Sequence, residues 1–335
     1  MAPWEEEPAL SDAMQAIVQD RYGSPDVLSV EQVPVPRPEP DEVLVHVEAS
    51  TVSTAQMALR RGRPVVARLV TGWRRPKEPI PGSELAGEVV SIGAAVSGIS
   101  VGERVVGATG SGFGGHAEFA RVPGAAIAPI PEGVESADAV AMAEGGLTAL
   151  PFLRDTAGLH AGQRIVINGA AGAVGSAAVQ LAKHLGAEVT AVCSAGRADL
   201  VRSLGADRII DYAQEDFTHT DQPYDVVFDA VGRSSFGRAR QALRDGGIYM
   251  TTVIGARIVP QMLWTSKVGS RRAAIAFTGL RSPADKGQDL RTLMELAASG
   301  SFRAVIDRSF TLADSVAAHR YVEQGRKHGA VVLTV

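Results

Sequence analysis

RIVINGAAGAVGSAAVQLAK, Arg164 to Lys183, decides how the rest of the chain is read. Its opening RIVIN is an apolar, β-branched run of the kind that forms a strand buried on both faces. From Ala173 onward, Val174, Ala178, Leu181 and Leu185 recur at helical spacing. Between strand and helix, Gly169, Gly172 and Gly175 form G-x-x-G-x-x-G, a relative of the stricter G-x-G-x-x-G. Small residues there let main-chain N–H groups approach a pyrophosphate, and the helix start adds partial positive charge. A packing turn made of small residues is the competing reading. The strand–turn–helix setting favours a dinucleotide.

Working outward, EVTAVC, RIIDY, YDVVFDAVG and GIYMTTVIG read as further strands, and RAAIAFTGL as a sixth. ADLVRSLG and FGRARQALRDGG read as the helices between them. Strand–helix repetition at this spacing predicts a parallel sheet covered on both faces. Before it, AIVQD, VLSVEQVP, EVLVHVEAS, SELAGEVVSIG and HAEFARVP predict an all-β region, a partly closed barrel. After it come a helix DLRTLMELAASG, a second helix DSVAAHRYVEQG and a closing strand AVVLTV.

The end of the second strand selects the cofactor. A protein that chooses NAD usually places Asp or Glu there for the ribose 2′-OH. This chain has Cys193-Ser194, with Arg197 following. A hydroxyl and a guanidinium suit a 2′-phosphate, so NADPH (NADP+) is expected, with Tyr212 within reach of the same pocket. Cys193 reads as a buried strand residue rather than a nucleophile.

Bulk properties exclude several classes. The chain has 335 residues and a net charge of −4, with no general attraction to nucleic acid or anionic membrane. No basic stripe with interleaved aromatics appears. No apolar run approaches the roughly 18 residues of a membrane span. The one cysteine rules out an intramolecular disulfide and a four-cysteine zinc lobe. A cytoplasmic protein is expected. Residues 1–13, acidic and proline-bearing, read as a disordered extension ahead of Met14.

GAAGAVGSAAVQLAKHLGA, SLGADRIIDY and FDAVG, together with PGSELAGEVVSIG, GGHAEFARVP, GGLTAL and HRYVEQGRKHGAVVLTV, resemble the medium-chain dehydrogenase/reductase superfamily. The zinc-independent quinone oxidoreductase, or zeta-crystallin-like, branch is the nearest in pattern. The resemblance implies an α/β protein: a GroES-like β-barrel catalytic domain plus a Rossmann doubly wound parallel sheet. It divides the chain into 14–134 (barrel, first part), 135–265 (Rossmann, NADP-binding) and 266–335 (return to the catalytic domain). The active cleft lies between the domains, and a homodimer is implied.

It also assigns residues. Gly169, Ala171, Gly172, Ala173, Val174 and Gly175 would cradle the pyrophosphate, with Ser194, Arg197 and Tyr212 at the adenosine end and Val231 after the fourth strand. Thr148 would lie by the nicotinamide ribose or carboxamide, and Val253, Ile254 and Phe277 along the nicotinamide. Ligands of zinc-dependent relatives fall at Ser53, at Ser83-Glu84 and at Glu144. Such a Ser/Glu set suits Zn²⁺ poorly, so no metal is expected.

Two departures stand out. Val52-Ser53-Thr54-Ala55-Gln56 replaces the branch's V-N-P-x-D/E, and Ala330 stands where relatives often carry Lys. Without a Lewis acid, hydride from NADPH must go to an acceptor that is already electrophilic, a quinone or an α,β-unsaturated carbonyl. Ser53 and Gln56 are candidate donors to that acceptor. If Glu84 and Glu144 share the former metal position, like-charge repulsion would raise the pKa of one, which would hold a proton for delivery; a structural role, with Glu84 bonding backbone groups and Glu144 facing solvent or capping a helix, is the competing reading. The altered segment leaves room for a non-catalytic NADPH-binding redox sensor. An alcohol dehydrogenase-like carbonyl reductase is the other alternative.

Overall fold

The computed structural model describes residues 12–253, 255 and 258–335, except for the side chains of Val66 and Val70. Its strands are β1 (Ala13–Gln19), β2 (Leu28–Pro34), β3 (Glu42–Thr51), β4 (Glu84–Ile92), β5 (Arg104–Ala108), β6 (Phe119–Pro123), β7 (Ile127–Pro129), β8 (Arg164–Asn168), β9 (Glu188–Cys193), β10 (Arg208–Asp211), β11 (Tyr224–Asp229), β12 (Leu243–Thr251), β13 (Arg272–Ala274), β14 (Ile306–Thr311) and β15 (Ala330–Thr334). The helices are α1 (Thr54–Arg60), α2 (Arg68–Thr71), α3 (Ser136–Pro151), α4 (Ala173–His184), α5 (Ala198–Ser203), α6 (Phe236–Ala239), α7 (Ile258–Thr265), α8 (Pro283–Ala298) and α9 (Ser315–Glu323).

The Rossmann sheet runs β10-β9-β8-β11-β12-β13, parallel throughout. Its order reverses beside β8, and the crevice at such a switch point is where open α/β sheets bind ligands. Ile165, Val166 and Ile167 of β8 are fully buried, as its unbroken apolar run requires. The barrel sheet runs β14-β15-β3-β4-β5-β7, with β6 also on β3, and β1 pairs with β2 as a separate hairpin. Chain ends thus meet chain middle: β15 is antiparallel to β3, pairing Val332 with Thr51.

α3 joins the two halves. It is apolar nearly all round, and such a helix is stable only when buried on every side. It packs on α4 of the Rossmann half, on β3, β4 and β15 of the barrel, and on α8. Two glycines set its depth: a Cβ at Gly145 would lie 2.3 Å from the Ala173 carbonyl oxygen, and one at Gly146 would strike Leu293.

Three sequence boundaries move. Ala13, counted with the N-terminal extension, is the first residue of β1 and pairs with Pro34; residues 1–11 lie outside the described residues. The Rossmann limit at 265 is too early, because β13 completes the parallel sheet beyond it. The helix expected over FGRARQALRDGG is only Phe236–Ala239 plus a 3-10 turn, since buried Leu243 already pairs with Tyr224 in the sheet. Burial of Leu243 overrides its local helical context.

Candidate active site

The glycine-rich turn has the geometry its sequence implies. Gly169 has φ +83°, a conformation glycine adopts at no steric cost. The turn is held to β9 by Gly169 N and Ala170 N, which both donate to Val192 O. Gly172 is the N-cap of α4, so the first-turn amides of Ala173, Val174 and Gly175 have no carbonyl partner within the helix. Gly175 is required by the turn itself: its Cβ would sit 2.1 Å from the Gly169 carbonyl oxygen. Val231 covers the open face of Gly169, and Val253 lies against Gly232. Both valines are partly exposed, as is Phe277. Ile254 lies outside the described residues.

Ser194 and Arg197, expected from sequence at the adenosine end of a cofactor, are half-buried just past β9. Tyr212 is exposed and anchored by its N–H to Cys193 O. A residue not anticipated from sequence joins them: His328, whose imidazole burial and the nearby Arg197 charge both push below its ordinary pKa. His328 belongs to a strap, Lys327–Gly329, that crosses the turn. Gly329 N donates to Ala171 O (2.8 Å), and Gly329 pairs with Gly172 as an isolated parallel bridge.

The second group of expected site residues lies on the barrel half. Ser53 caps α1 in a reciprocal box: Gln56 N donates to Ser53 Oγ (3.1 Å) and Ser53 N to Gln56 Oε1 (3.2 Å). Gln56 Nε2 donates to Ser83 Oγ (3.0 Å), which donates to Glu84 Oε2 (2.7 Å). Thr51 Oγ1 stands 3.5 Å from the same oxygen. Gln56 is therefore buried framework, not a donor reaching for an acceptor, and Ser53 is engaged as its cap. The S-x-x-Q spacing of Ser53 and Gln56 carries that capping signal in the sequence itself.

The two carboxylates differ. Burial pushes Glu84 up to about 7, helped by the negative charge of Glu144 and opposed by the Ser83 hydrogen bond and by Lys286 of α8. Glu144 sits at the middle of α3, one turn before half-buried Thr148 on the same face. Burial raises it too, but Lys327 Nζ donates to its Oε1 at 2.7 Å and pulls it back down. Of the two carboxyls, one of which was expected from sequence to be raised, Glu144 is tied to Lys327, and Glu84 has, among the described residues, no such cation bonded to it.

The donors do not fit Zn²⁺. Two of the metal positions of zinc-dependent relatives are hydroxyls, and a third is a carboxylate already occupied by an ammonium group, which would repel a cation. Among the described residues no three His, Cys, Asp or Glu side chains cluster in a way that could hold a metal. His116 is buried, with Nε2 on Thr51 O (2.9 Å).

Comparison with known proteins agrees with this architecture. Residues 39–132 match the alcohol dehydrogenase GroES-like domain family, and residues 204–333 the zinc-binding dehydrogenase family. The chain is 31% identical to a chloroplast envelope quinone oxidoreductase homolog of Arabidopsis thaliana, over 96% of this chain and 98% of that one. It is 30% identical to the NADPH-dependent alkenal/one oxidoreductase, chloroplastic, of the same plant, over 96% and 79%. The solved quinone oxidoreductase of Coxiella burnetii superposes with a TM-score of 0.85 at 27% identity, covering 96% of this chain and 99% of that one. With the fold, the turn and these relatives in agreement, the chain belongs to the medium-chain dehydrogenase/reductase superfamily, in its quinone oxidoreductase branch.

Proposed function

We propose that the protein is an NADPH-dependent reductase of quinones or α,β-unsaturated carbonyls that works without zinc. One observation supports the reading: Ser83, itself held by Gln56, fixes the Glu84 carboxyl on β4, and β4 packs on α3 as does α4, the helix that the glycine-rich turn opens. Bound NADPH supplies the hydride. Ala171 to Gly175 and the start of α4 hold its pyrophosphate. Ser194 and Arg197, with Tyr212 and His328 alongside, receive the 2′-phosphate. Thr148, Val253 and Phe277 line the nicotinamide side.

Hydride addition to a conjugated acceptor leaves negative charge on oxygen, which must be stabilised and protonated. Glu84 is placed to do this. Its Oε2 is fixed by Ser83, so its proton sits on Oε1, and Gln56 holds Ser83 in register. The relatives' names support the substrate class, since quinone and alkenal/one oxidoreductases both act on conjugated acceptors. The poor fit to Zn²⁺ weighs against reduction of unactivated ketones.

The test is a panel of quinones, enones and simple ketones, each with NADPH and NADH, followed by nicotinamide absorbance. Oxidation of NADPH only with conjugated acceptors is the expected result. Saturable NADPH binding with no turnover on any of them would replace the reading with a redox sensor. Elemental analysis of the purified protein should find no stoichiometric zinc.

The free edge of β13, with exposed Val259, Leu263, Trp264 and Val268 nearby, supports a homodimer built through that edge, testable by sedimentation. Among the described residues no helix is long and apolar enough to cross a membrane. A cytoplasmic site of action is part of the proposal, and cell fractionation tests it.

A further inference from the structure

The Glu144–Lys327 ion pair is nearly closed off from solvent, its side chains 7% and 10% exposed. Burying two charges costs several kcal/mol per ion, which is recovered only when the remaining bonding capacity is also used. Here it is not. Glu144 Oε2 is buried with no hydrogen-bond partner. Lys327 has three N–H donors, and among the described residues its one hydrogen bond goes to Glu144. The pair has an acceptor and donors to spare.

Its location says for what. Glu144 adjoins Gly145, which abuts Ala173 at the start of α4. Lys327 lies two residues from Gly329, which is bonded to Ala171 and Gly172 of the turn. The strap's two basic side chains lie apart: His328 is near Arg197, and Lys327 donates to Glu144, whose charge is felt by Glu84. Lys327 and Glu144 are therefore on the side of the turn where Glu84 lies, the side to which the proposed function assigns the nicotinamide.

We propose that Lys327 and Glu144 act together on the nicotinamide half of the bound dinucleotide, the ammonium donating to its phosphate and the orphaned carboxylate oxygen accepting from a ribose hydroxyl. This rests on the reading that a dinucleotide occupies the turn. The pair then serves as a positioning element that is complete only with cofactor present. Lys327 also prevents Glu144 from repelling a phosphate nearby.

The experiment is calorimetric titration of the full chain with NADPH and with adenosine 2′,5′-bisphosphate, which lacks the nicotinamide half. In Lys327→Met, NADPH should bind about ten- to a hundredfold more weakly, the effect of losing a charge-assisted hydrogen bond. The bisphosphate should be unchanged within about twofold, because the fragment never meets the pair. Unchanged NADPH affinity, or equal weakening of both ligands, overturns the proposal; the second result would mean that Lys327 only holds the fold. Glu144→Gln keeps the side-chain shape and covers the case in which Lys327→Met does not fold. It should weaken NADPH about three- to tenfold with the bisphosphate unaffected, and no change in NADPH affinity overturns the proposal equally. If the unaltered protein binds neither ligand, the dinucleotide reading itself fails, a result distinct from either variant's.

Discussion

The glycine-rich turn and the carboxylate cluster are built in opposite ways. The turn presents main-chain N–H groups of one continuous segment, and side chains would only obstruct it. The cluster is made of side chains from β3, β4, α1, α3, α8 and the strap before β15, which the fold must bring together. A backbone site is therefore sensitive to any added atom. A side-chain site is sensitive to charge and protonation.

The largest effect expected from that contrast is at Gly175. Gly175→Val puts a branched side chain where even a Cβ meets Gly169 O at 2.1 Å, and a backbone oxygen in a tight turn has nowhere to move. NADPH affinity should fall by more than about a thousandfold, with several kcal/mol lost from stability, read by fluorescence titration and denaturant unfolding. Near-native binding would show that the turn is not the phosphate cradle.

Next comes Glu84. In the unaltered enzyme the rate should fall as pH rises through about 7, because the proton is lost there. Glu84→Gln should reduce kcat about a hundredfold below that pH and flatten the profile. A profile that keeps its inflection would move the proton-donor role elsewhere. Stability carries the same sign. Glu84 is raised above its unfolded value, so its contribution is full below pH ~4.5 and lost as pH rises through about 7. Glu84→Gln should therefore be relatively more stable at pH 8 than at pH 5.

Acid sharpens the comparison between the halves. His116, and His319 of α9, are both buried, and burial pushes His116 down to about 4 and His319 well below its ordinary value. An unfolded histidine takes up a proton near pH 6.5, whereas these do not, so stability falls as pH drops from about 6.5 to 4. His116 alone accounts for on the order of 3 kcal/mol. Hydrogen exchange at pH 5 should find the barrel half loosened before the parallel sheet. Uniform loss of protection would show that the two halves open as one unit.

The smallest expected effect is at Arg197. Arg197→Ala should weaken NADPH about tenfold and leave NADH almost unchanged, because only the 2′-phosphate needs the guanidinium. Equal loss for both cofactors would assign Arg197 a structural role.

These contrasts mirror what could be read from the chain. RIVING and the three spaced glycines announced the turn because all its determinants are local: a buried run, small residues and a helix start within a few positions. Ser53 and Gln56 also carried a local signal, a capping box, which explains their side chains better than contact with an acceptor. Lys327 carried none. It lies 183 residues from Glu144, between the helix DSVAAHRYVEQG and the strand AVVLTV, in no motif that assigns it a role. His328 and Lys286 were equally silent, since neither forms a motif with its sequence neighbours.

The amino-acid order alone determined the parallel sheet and its glycine-rich bend, because periodicity and small-residue spacing are local; it also raised the expectation of a 2′-phosphate, and resemblance to zinc-dependent relatives supplied the Ser/Glu positions that suit zinc poorly. Tertiary structure alone decided which carboxyl keeps its proton and which is tied to an ammonium. Those outcomes depend on burial and on charges from distant segments, and a Coulomb interaction depends on distance in space rather than separation along the chain.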